Sequence, residues 1–397
     1  MRQEKNVNSN SQLNSANLKS ADVILFAPNN ELIIGDSING MLYAFSTEAG
    51  NKQEKHYNLR AIDIKIAEEL GVNSKNLRLN AMAVHPVNKE VYISVHRGTG
   101  LEVTPIIIVI GSDGKIRSPK LELLSTFSLP NIPDYGIKSA RNGTPLSSLS
   151  ITDITYHKGF LYVSGLTNAD FSSSLHKIPY PFNNECISSA IEIYHAVHNQ
   201  NETRAPIRAQ TIIDYNNESV MIAAYTCTPI VTIPINALQD KALVKGKTVA
   251  DIGYGNTPTN IIAFKAYDND QKLEEYVMVL SKQRNAQVFT LKSILDADNL
   301  SKPIGFLPGG VASFSIPLSS IIRISDYSDL NFVILITDIN TGCIDLLNIR
   351  KGIYFRLTDH LGEYEMPGYQ YQHSSEHEHL KSFQNMLLKE EGSDVTV

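Results

Sequence analysis

One pattern governs what this chain can fold into: a short apolar hairpin written six times. Its central strand reads ELIIGDS from Glu31, EVYISVH from Glu90, FLYVSGL from Phe160, VMIAAYT from Val220, YVMVLSK from Tyr276 and FVILITD from Phe332. Aligned on Leu32, Val91, Leu161, Met221, Val277 and Val333, the copies are spaced by 59, 70, 60, 56 and 56 residues. These runs are rich in β-branched, aromatic and aliphatic residues, too short for helices, and bounded by Gly, Asn, Asp or Ser. A strand apolar on both faces must be sandwiched between two layers rather than laid on one.

A companion strand precedes each run: DVILFA, NAMAVH, DITYH, QTIIDY, NIIAF and IRISDY. Polar turns such as Pro28-Asn29-Asn30 and His157-Lys158-Gly159 join the two. A third strand follows: MLYAFST, PIIIVIG, SLHKIPY, PIVTIPI, QVFTLKS and CIDLLNI. Segments between the triplets, LELLSTFSL near 121 and IEIYHAV near 191, can add a fourth. Three or four antiparallel strands repeated in this way predict an all-β fold, a single β-propeller of about six blades. A degenerate seventh blade would fall around 300–318 or 353–360, and IYFRL at 353–357 would close the ring against the first blade. An immunoglobulin-like sandwich would use shorter units without this self-similarity.

Length alone, 397 residues, would suggest two or three domains. Repeats are the exception, because each needs its neighbours to bury its apolar face. The expected layout is a disordered N-terminal segment over 1–20, the propeller over 21–360 and a polar, flexible tail over 361–397. Residues 61–72 (AIDIKIAEELGV) space apolar side chains as a helix does and end near Gly71, which predicts a short helix inserted between blades one and two.

A net charge of −6 with scattered lysines and arginines gives no electrostatic footprint for nucleic acid. No apolar run approaches the length of a membrane helix. The polar start lacks a signal-peptide core, so the expectation is a cytoplasmic protein, or a secreted or periplasmic one if the chain is a processed form. Three widely separated cysteines (Cys186, Cys227, Cys343) fit neither a disulfide framework nor a metal cluster. The absence of tryptophan argues against the quinoprotein kind of propeller.

In a propeller the innermost strand starts on the face where the second strand ends, so both converge on one channel mouth. Asp22, Asn80, Asp153 and Asn260 hold the same register at four of the six starts, with Gln210 or Thr211 in the fourth blade and Arg323 in the sixth. Such residues cap strand starts through loop N–H groups, and they could equally ring a hard cation with oxygen ligands. The second-strand ends bring Asp36, His96, Arg97, Asn168, Tyr225, Cys227, Arg284 and Asp338 to the same mouth. This mixed-charge set could hold a small polar ligand, with His96 as a base near neutral pH and an arginine gripping a carboxylate.

The motifs Asn80-Ala-Met-Ala-Val and Asp153-Ile-Thr-Tyr, with the blade pattern, resemble the six-bladed metal-dependent lactonases of the gluconolactonase and paraoxonase type. That resemblance implies Ca²⁺ or another divalent cation at Asp22, Asn80, Asp153 and Asn260 and a hydrolase that polarises a carbonyl. The family's glycine after the ligand is replaced here by Val23, Ala81, Ile154 and Ile261. The blades are similar also to non-enzymatic propellers of the NHL-repeat and surface-layer kinds. Three functions stay open at this point: a propeller that binds a small molecule, a peptide or a protein at its channel mouth, a metal-dependent hydrolase, and a plain scaffold.

Elsewhere, His195 and His198 (YHAVH) would have metal spacing on a helix, but IEIY before them favours a strand. Cys227 needs a histidine partner to be a nucleophile, and His373, His377 and His379 lie in the polar tail.

Overall fold

The structure, a computed structural model, describes residues 17–48, 56–99, 102–139, 143–168, 172–268, 272–282 and 284–352. The chain divides into two compact units. The larger, Met1–Phe264 with Glu275–Lys351, contains six separate antiparallel sheets, the blades of the expected propeller. The smaller, Lys265–Glu274 with Gly352–Val397, contains in its described part the tip of one hairpin. Of the described residues, strand makes up 53% and helix 9%.

Blade 1 is built from β1 (Val23–Ala27), β2 (Glu31–Asp36) and β3 (Met41–Thr47). The chain then runs through β4 (Asn58–Leu59) and α1 (Ile62–Leu70) to blade 2: β5 (Leu77–Val84), β6 (Val91–Thr99), β7 (Glu102–Ile110) and β8 (Ile116–Arg117). Next comes β9 (Leu121–Ser128), followed by blade 3 with β10 (Asp153–His157), β11 (Phe160–Leu166), β12 (Ser173–Pro179), β13 (Ile187–His195) and β14 (Gln200–Glu202). Blade 4 has β15 (Ile207–Tyr215), β16 (Glu218–Tyr225), β17 (Pro229–Pro234) and β19 (Lys247–Asp251), while β18 (Leu243–Lys245) pairs in parallel with β13 of blade 3. Blade 5 contains β20 (Pro258–Tyr267), β21 (Leu273–Ser281) and β22 (Ala286–Thr290), after which come α2 (Leu291–Asp296), β23 (Gly309–Gly310) and β24 (Phe314–Ile316). Blade 6 holds β25 (Ile321–Asp326), β26 (Asn331–Thr337) and β27 (Ile344–Arg350).

The doubly apolar central strands behave as their sequences require. In β2, Leu32 and Ile34 pack against blade 2, through Tyr92 and Val109, while Ile33 between them packs against blade 3, through Leu161 and Val163. In β16, Met221, Ala223 and Tyr225 face blade 3, and Ile222 and Ala224 face blade 5. Alternate side chains of a strand point to opposite faces, so each central strand serves two interfaces.

These same interfaces fix an order that departs from the chain order. Blade 1 lies between blades 2 and 3, and blade 2 packs on its other side against Val333, Leu335 and Leu346 of blade 6. Blade 3 meets blade 4, blade 4 meets blade 5, and Phe264 of blade 5 meets Phe332 of blade 6 edge to face at 5.4 Å. The ring therefore runs 1-3-4-5-6-2 and back to 1. Two outer strands make the exchange possible. Strand β4, which precedes blade 2, pairs with β27 of blade 6 through Leu59–Leu346 and Asn58–Leu347. Strand β9, which follows blade 2, pairs with β3 of blade 1 from Met41–Ser128 to Thr47–Leu121.

Several expectations are corrected here. The fourth strand near 121 belongs to blade 1, although blade 2 directly precedes it in the chain. The stretch 300–318 forms no seventh blade: β23 joins blade 4 and β24 joins blade 5. The edge of blade 6 is covered by β4, and IYFRL at 353–357, like residues 1–16 and 361–397, lies outside the described residues. Residues 17–20, expected to be disordered, pack onto blade 1 with Leu18 and Ser20 buried. The helix is where the sequence put it. Its face of Ile62, Ile66 and Ala67 is buried between blades 2 and 6, and Gly71 ends it with a left-handed φ of 65°. Among the described residues no helix is long and apolar enough to cross a membrane.

Candidate functional site

The six inner strands are the unpaired edges of their sheets, with both faces packed against neighbouring blades, and near the starts of at least three of them lies a β-bulge. Asn80 in β5, Arg208 in β15 and Ile322 in β25 are each the extra residue opposite a regular partner strand. Bulges re-aim side chains and gather next to sites. At this end of the channel lies a cavity of about 500 Å³, lined by Asp22, Ser37, Arg78, Asn80, His96, Arg208 and Arg323. Thr144, Ser148 and Thr152 line it from the segment that leads into β10. That segment is seated by Gly165 at the end of β11, where a Cβ would stand 1.9 Å from the Ser150 carbonyl oxygen. The Ser150 hydroxyl donates to the Ser37 carbonyl at 2.6 Å and holds the segment to blade 1.

One wall is a fixed hydrogen-bond network. Asn80 Nδ2 donates to the Ala21 carbonyl at 3.1 Å and to Asp22 Oδ1 at 3.0 Å, so its amide orientation is determined by two acceptors. The Ser37 hydroxyl donates to Asp22 Oδ2. His96 Nε2 accepts the Ala21 N–H at 3.0 Å. A neutral imidazole must then carry its hydrogen on Nδ1, so Arg78 Nη2, itself only a donor, makes a close approach to it at 3.2 Å and not a hydrogen bond. Burial pushes the His96 pKa down, helped by Arg78 and opposed by Asp22, so the ring is neutral at pH 7. Its one lone pair being committed to a backbone N–H, His96 is built to hold position rather than to accept a proton.

The other wall is cationic. Arg78 lies 3.9 Å from Asp22 Oδ1 with two thirds of its side chain exposed. Arg208 and Arg323 are deeper, and among the described residues neither has a carboxylate within ion-pair distance. Arg208 Nε is buried with no hydrogen-bond partner, while Arg323 Nη1 donates to the Ile322 carbonyl at 2.7 Å. Burial lowers the pKa of both, that of Arg323 to about 10, against the pull of Asp153 and Asp22. Both remain cations at neutral pH.

The four proposed metal ligands do not meet at one point. Asp22 and Asn80 touch, but through the amide nitrogen, which repels a cation. Asp153 ties blades 3 and 4: its carboxylate accepts the N–H of Gln210 at 2.8 Å and of Ile154 at 2.9 Å. Burial raises its pKa to about 6 despite those bonds and the charges of Arg323 and Arg208. The side-chain oxygen of Asn260 is buried without a partner, away from the cavity lining. Three guanidinium groups beside this set suit an anion, and the residues do not fit a Ca²⁺ ion.

Of the second-strand residues, His96 reaches the cavity. Asp36 is buried and accepts from the N–H groups of Lys19, Ser20 and Asn39, pinning residues 19–20 to blade 1. Tyr225 is sealed in the core between blades 3 and 4. Arg97, Asn168, Cys227 and Arg284 are exposed and outside the cavity lining, and Asp338 caps its own turn through the N–H groups of Asn340 and Thr341. Sequence reasoning missed Arg78 and Arg208. The available signal was that each stands two positions before a recognised polar start, Asn80 and Gln210.

No family model and no curated protein matches this chain. Among solved structures it is similar to Drosophila Plexin A in complex with Semaphorin 1b, at TM-score 0.36 and 9% identity over 84% of this chain and 85% of that one. It is similar to PorZ, a surface component of the type-IX secretion system of Porphyromonas gingivalis, at TM-score 0.34 and 8% identity over 84% of this chain and 37% of that one. A virginiamycin B lyase from Staphylococcus aureus gives TM-score 0.30 and 10% identity over 83% and 85%. Likenesses of this strength carry no residue of the channel mouth from those proteins to this one.

Proposed function

We propose that the propeller is a binding module whose channel mouth takes a small organic anion, a carboxylate or phosphate that also bears hydroxyl groups. The observation that carries this reading is the pair of enclosed guanidinium groups, Arg208 and Arg323, facing a cavity without a carboxylate partner. A half-buried cation with no carboxylate in ion-pair distance is costly, and a ligand anion that accepts from both relieves that cost with charge-assisted hydrogen bonds. The volume of about 500 Å³ matches a small-molecule pocket. Asp22, Ser37 and Asn80 supply the polar groups that would read hydroxyls. With the His96 lone pair engaged, the arrangement favours binding over proton transfer.

The test is thermal unfolding with inorganic phosphate, citrate, gluconate, calcium chloride or manganese chloride, each against sodium chloride of equal ionic strength. A bound anion stabilises as RT ln(1 + [L]/Kd), about 2.7 kcal/mol at a hundredfold excess over Kd. At least one anion should raise the midpoint of the wild type. Arg208→Met should lose that rise while melting no lower than wild type without ligand, because a half-buried charge with no carboxylate in ion-pair distance has been removed. Absence of any anion effect, or its survival in Arg208→Met, overturns the reading. A rise with Ca²⁺ or Mn²⁺ that Asp22→Asn abolishes would place a cation there instead.

A further inference from the structure

Away from the channel, the outer hairpin of blade 3 gathers three metal-binding side chains. His195 ends β13, His198 sits in the turn and Glu202 ends β14. The turn is tight, with the His198 N–H bonded to the His195 carbonyl at 3.1 Å and Asn199 left-handed at φ 52°. It brings the two imidazole rings to a centroid separation of 3.8 Å. His195 Nδ1 lies 2.8 Å from Glu202 Oε2, and His198 Nδ1 lies 2.5 Å from Glu202 Oε1. One ligand atom from each residue falls within 4.8 Å of the others.

We propose that His195, His198 and Glu202 form a binding site for one divalent transition-metal ion, Zn²⁺ being the best fit. Two imidazole nitrogens and a carboxylate are the ligand types Zn²⁺ takes at about 2.0–2.2 Å, and a tetrahedral ion then spaces its ligands by about 3.3 Å. The two His–Glu separations need to open by about 0.5 and 0.8 Å to reach that spacing. His198, with its side chain 46% exposed, is free to make that movement. His195 is the anchor, 1% exposed.

His195 Nε2 is buried with no hydrogen-bond partner, as is Asp251 Oδ2 on the neighbouring blade. Ligation through Nδ1 would place the imidazole proton on Nε2, the position from which metal-binding histidines donate to a carboxylate, a carbonyl or water. Hard oxygen-preferring ions are disfavoured by two nitrogen donors. Three protein ligands leave a fourth position on the exposed side of the hairpin, open to water or to a ligand from outside.

The test uses the full chain carrying His373→Asn, His377→Asn and His379→Asn, so that the tail histidines contribute nothing. After treatment with EDTA and its removal, Zn²⁺ is titrated by isothermal calorimetry with Ca²⁺ as the control ion. One Zn²⁺ per chain and no Ca²⁺ uptake is expected. His198→Gln, a change at a half-exposed position that leaves the core intact, should weaken Zn²⁺ at least tenfold (about the lower effect of a disturbed metal shell), and Glu202→Gln should do the same. Failure of the parent chain to take up Zn²⁺ overturns the proposal, and so does uptake that neither substitution weakens.

Discussion

Tyr57 tests how the ring is closed. It immediately precedes β4 and is 2% exposed in the cluster between blades 2 and 6. Its N–H donates to Asn348 Oδ1 at 2.6 Å and its carbonyl accepts the Asn348 N–H at 2.9 Å, which fastens it to the edge of blade 6. Its hydroxyl lies 3.0 Å from the Ile110 carbonyl and 3.1 Å from that of Lys89, both in blade 2. One residue from the segment between blades 1 and 2 thus joins the two blades that the exchanged order makes neighbours. Tyr57→Phe removes a single hydroxyl donor shared by two carbonyls and should cost about 1 kcal/mol. Tyr57→Ala removes the buried ring as well, adding about 3–5 kcal/mol for a large aromatic truncated in a core. Together, roughly 4–6 kcal/mol would be a large share of a typical total stability of about 5–15 kcal/mol. Urea unfolding of the full chain at pH 7, with Leu330→Ala as a surface control expected within about 0.5 kcal/mol of wild type, measures both steps. If Tyr57→Ala behaves like Leu330→Ala, the ring does not close through this segment and the order 1-3-4-5-6-2 is wrong.

Further outcomes follow from the channel. Because burial lifts the pKa of Asp153 to about 6, folding favours its protonated form. Its stabilising contribution is complete below about pH 4 and is lost as pH rises through 6, an effect of about 3 kcal/mol for a two-unit shift. Asp153→Asn stays neutral, so its stability advantage over wild type should grow from pH 4 to pH 7 in denaturant titrations; a gap constant with pH would disprove the assignment. Gly165→Ala forces a Cβ onto the Ser150 carbonyl and should displace the segment lining the cavity, abolishing anion-induced stabilisation along with some stability; full retention of the response would separate that segment from the site.

How much of this was legible beforehand varies with the kind of interaction involved. Central strands such as LII in β2 and VMIAAY in β16 announced themselves because sandwiched strands must be apolar on both faces, a local composition rule. Helix α1 was equally plain, since its apolar spacing and terminal glycine are written within a dozen residues. The blade order was not. It hangs on β4, two residues long, and on the pairing of β9 with β3, and edge pairing uses backbone groups that every sequence carries. The site divides in the same way. Asp22, Asn80 and Asp153 were visible as polar breaks ahead of apolar strands, yet Asp153 turned out to strap Gln210 of the next blade and Asn260 to stand outside the cavity. Arg78 and Arg208 looked like ordinary surface charges. The sequence determines which segments are blades, because burial of alternating apolar faces is a local demand. Only the tertiary structure decides which blades touch and that three arginines from three separate inner strands share one cavity, because both depend on strand pairings and bulges whose partners lie tens to hundreds of residues away.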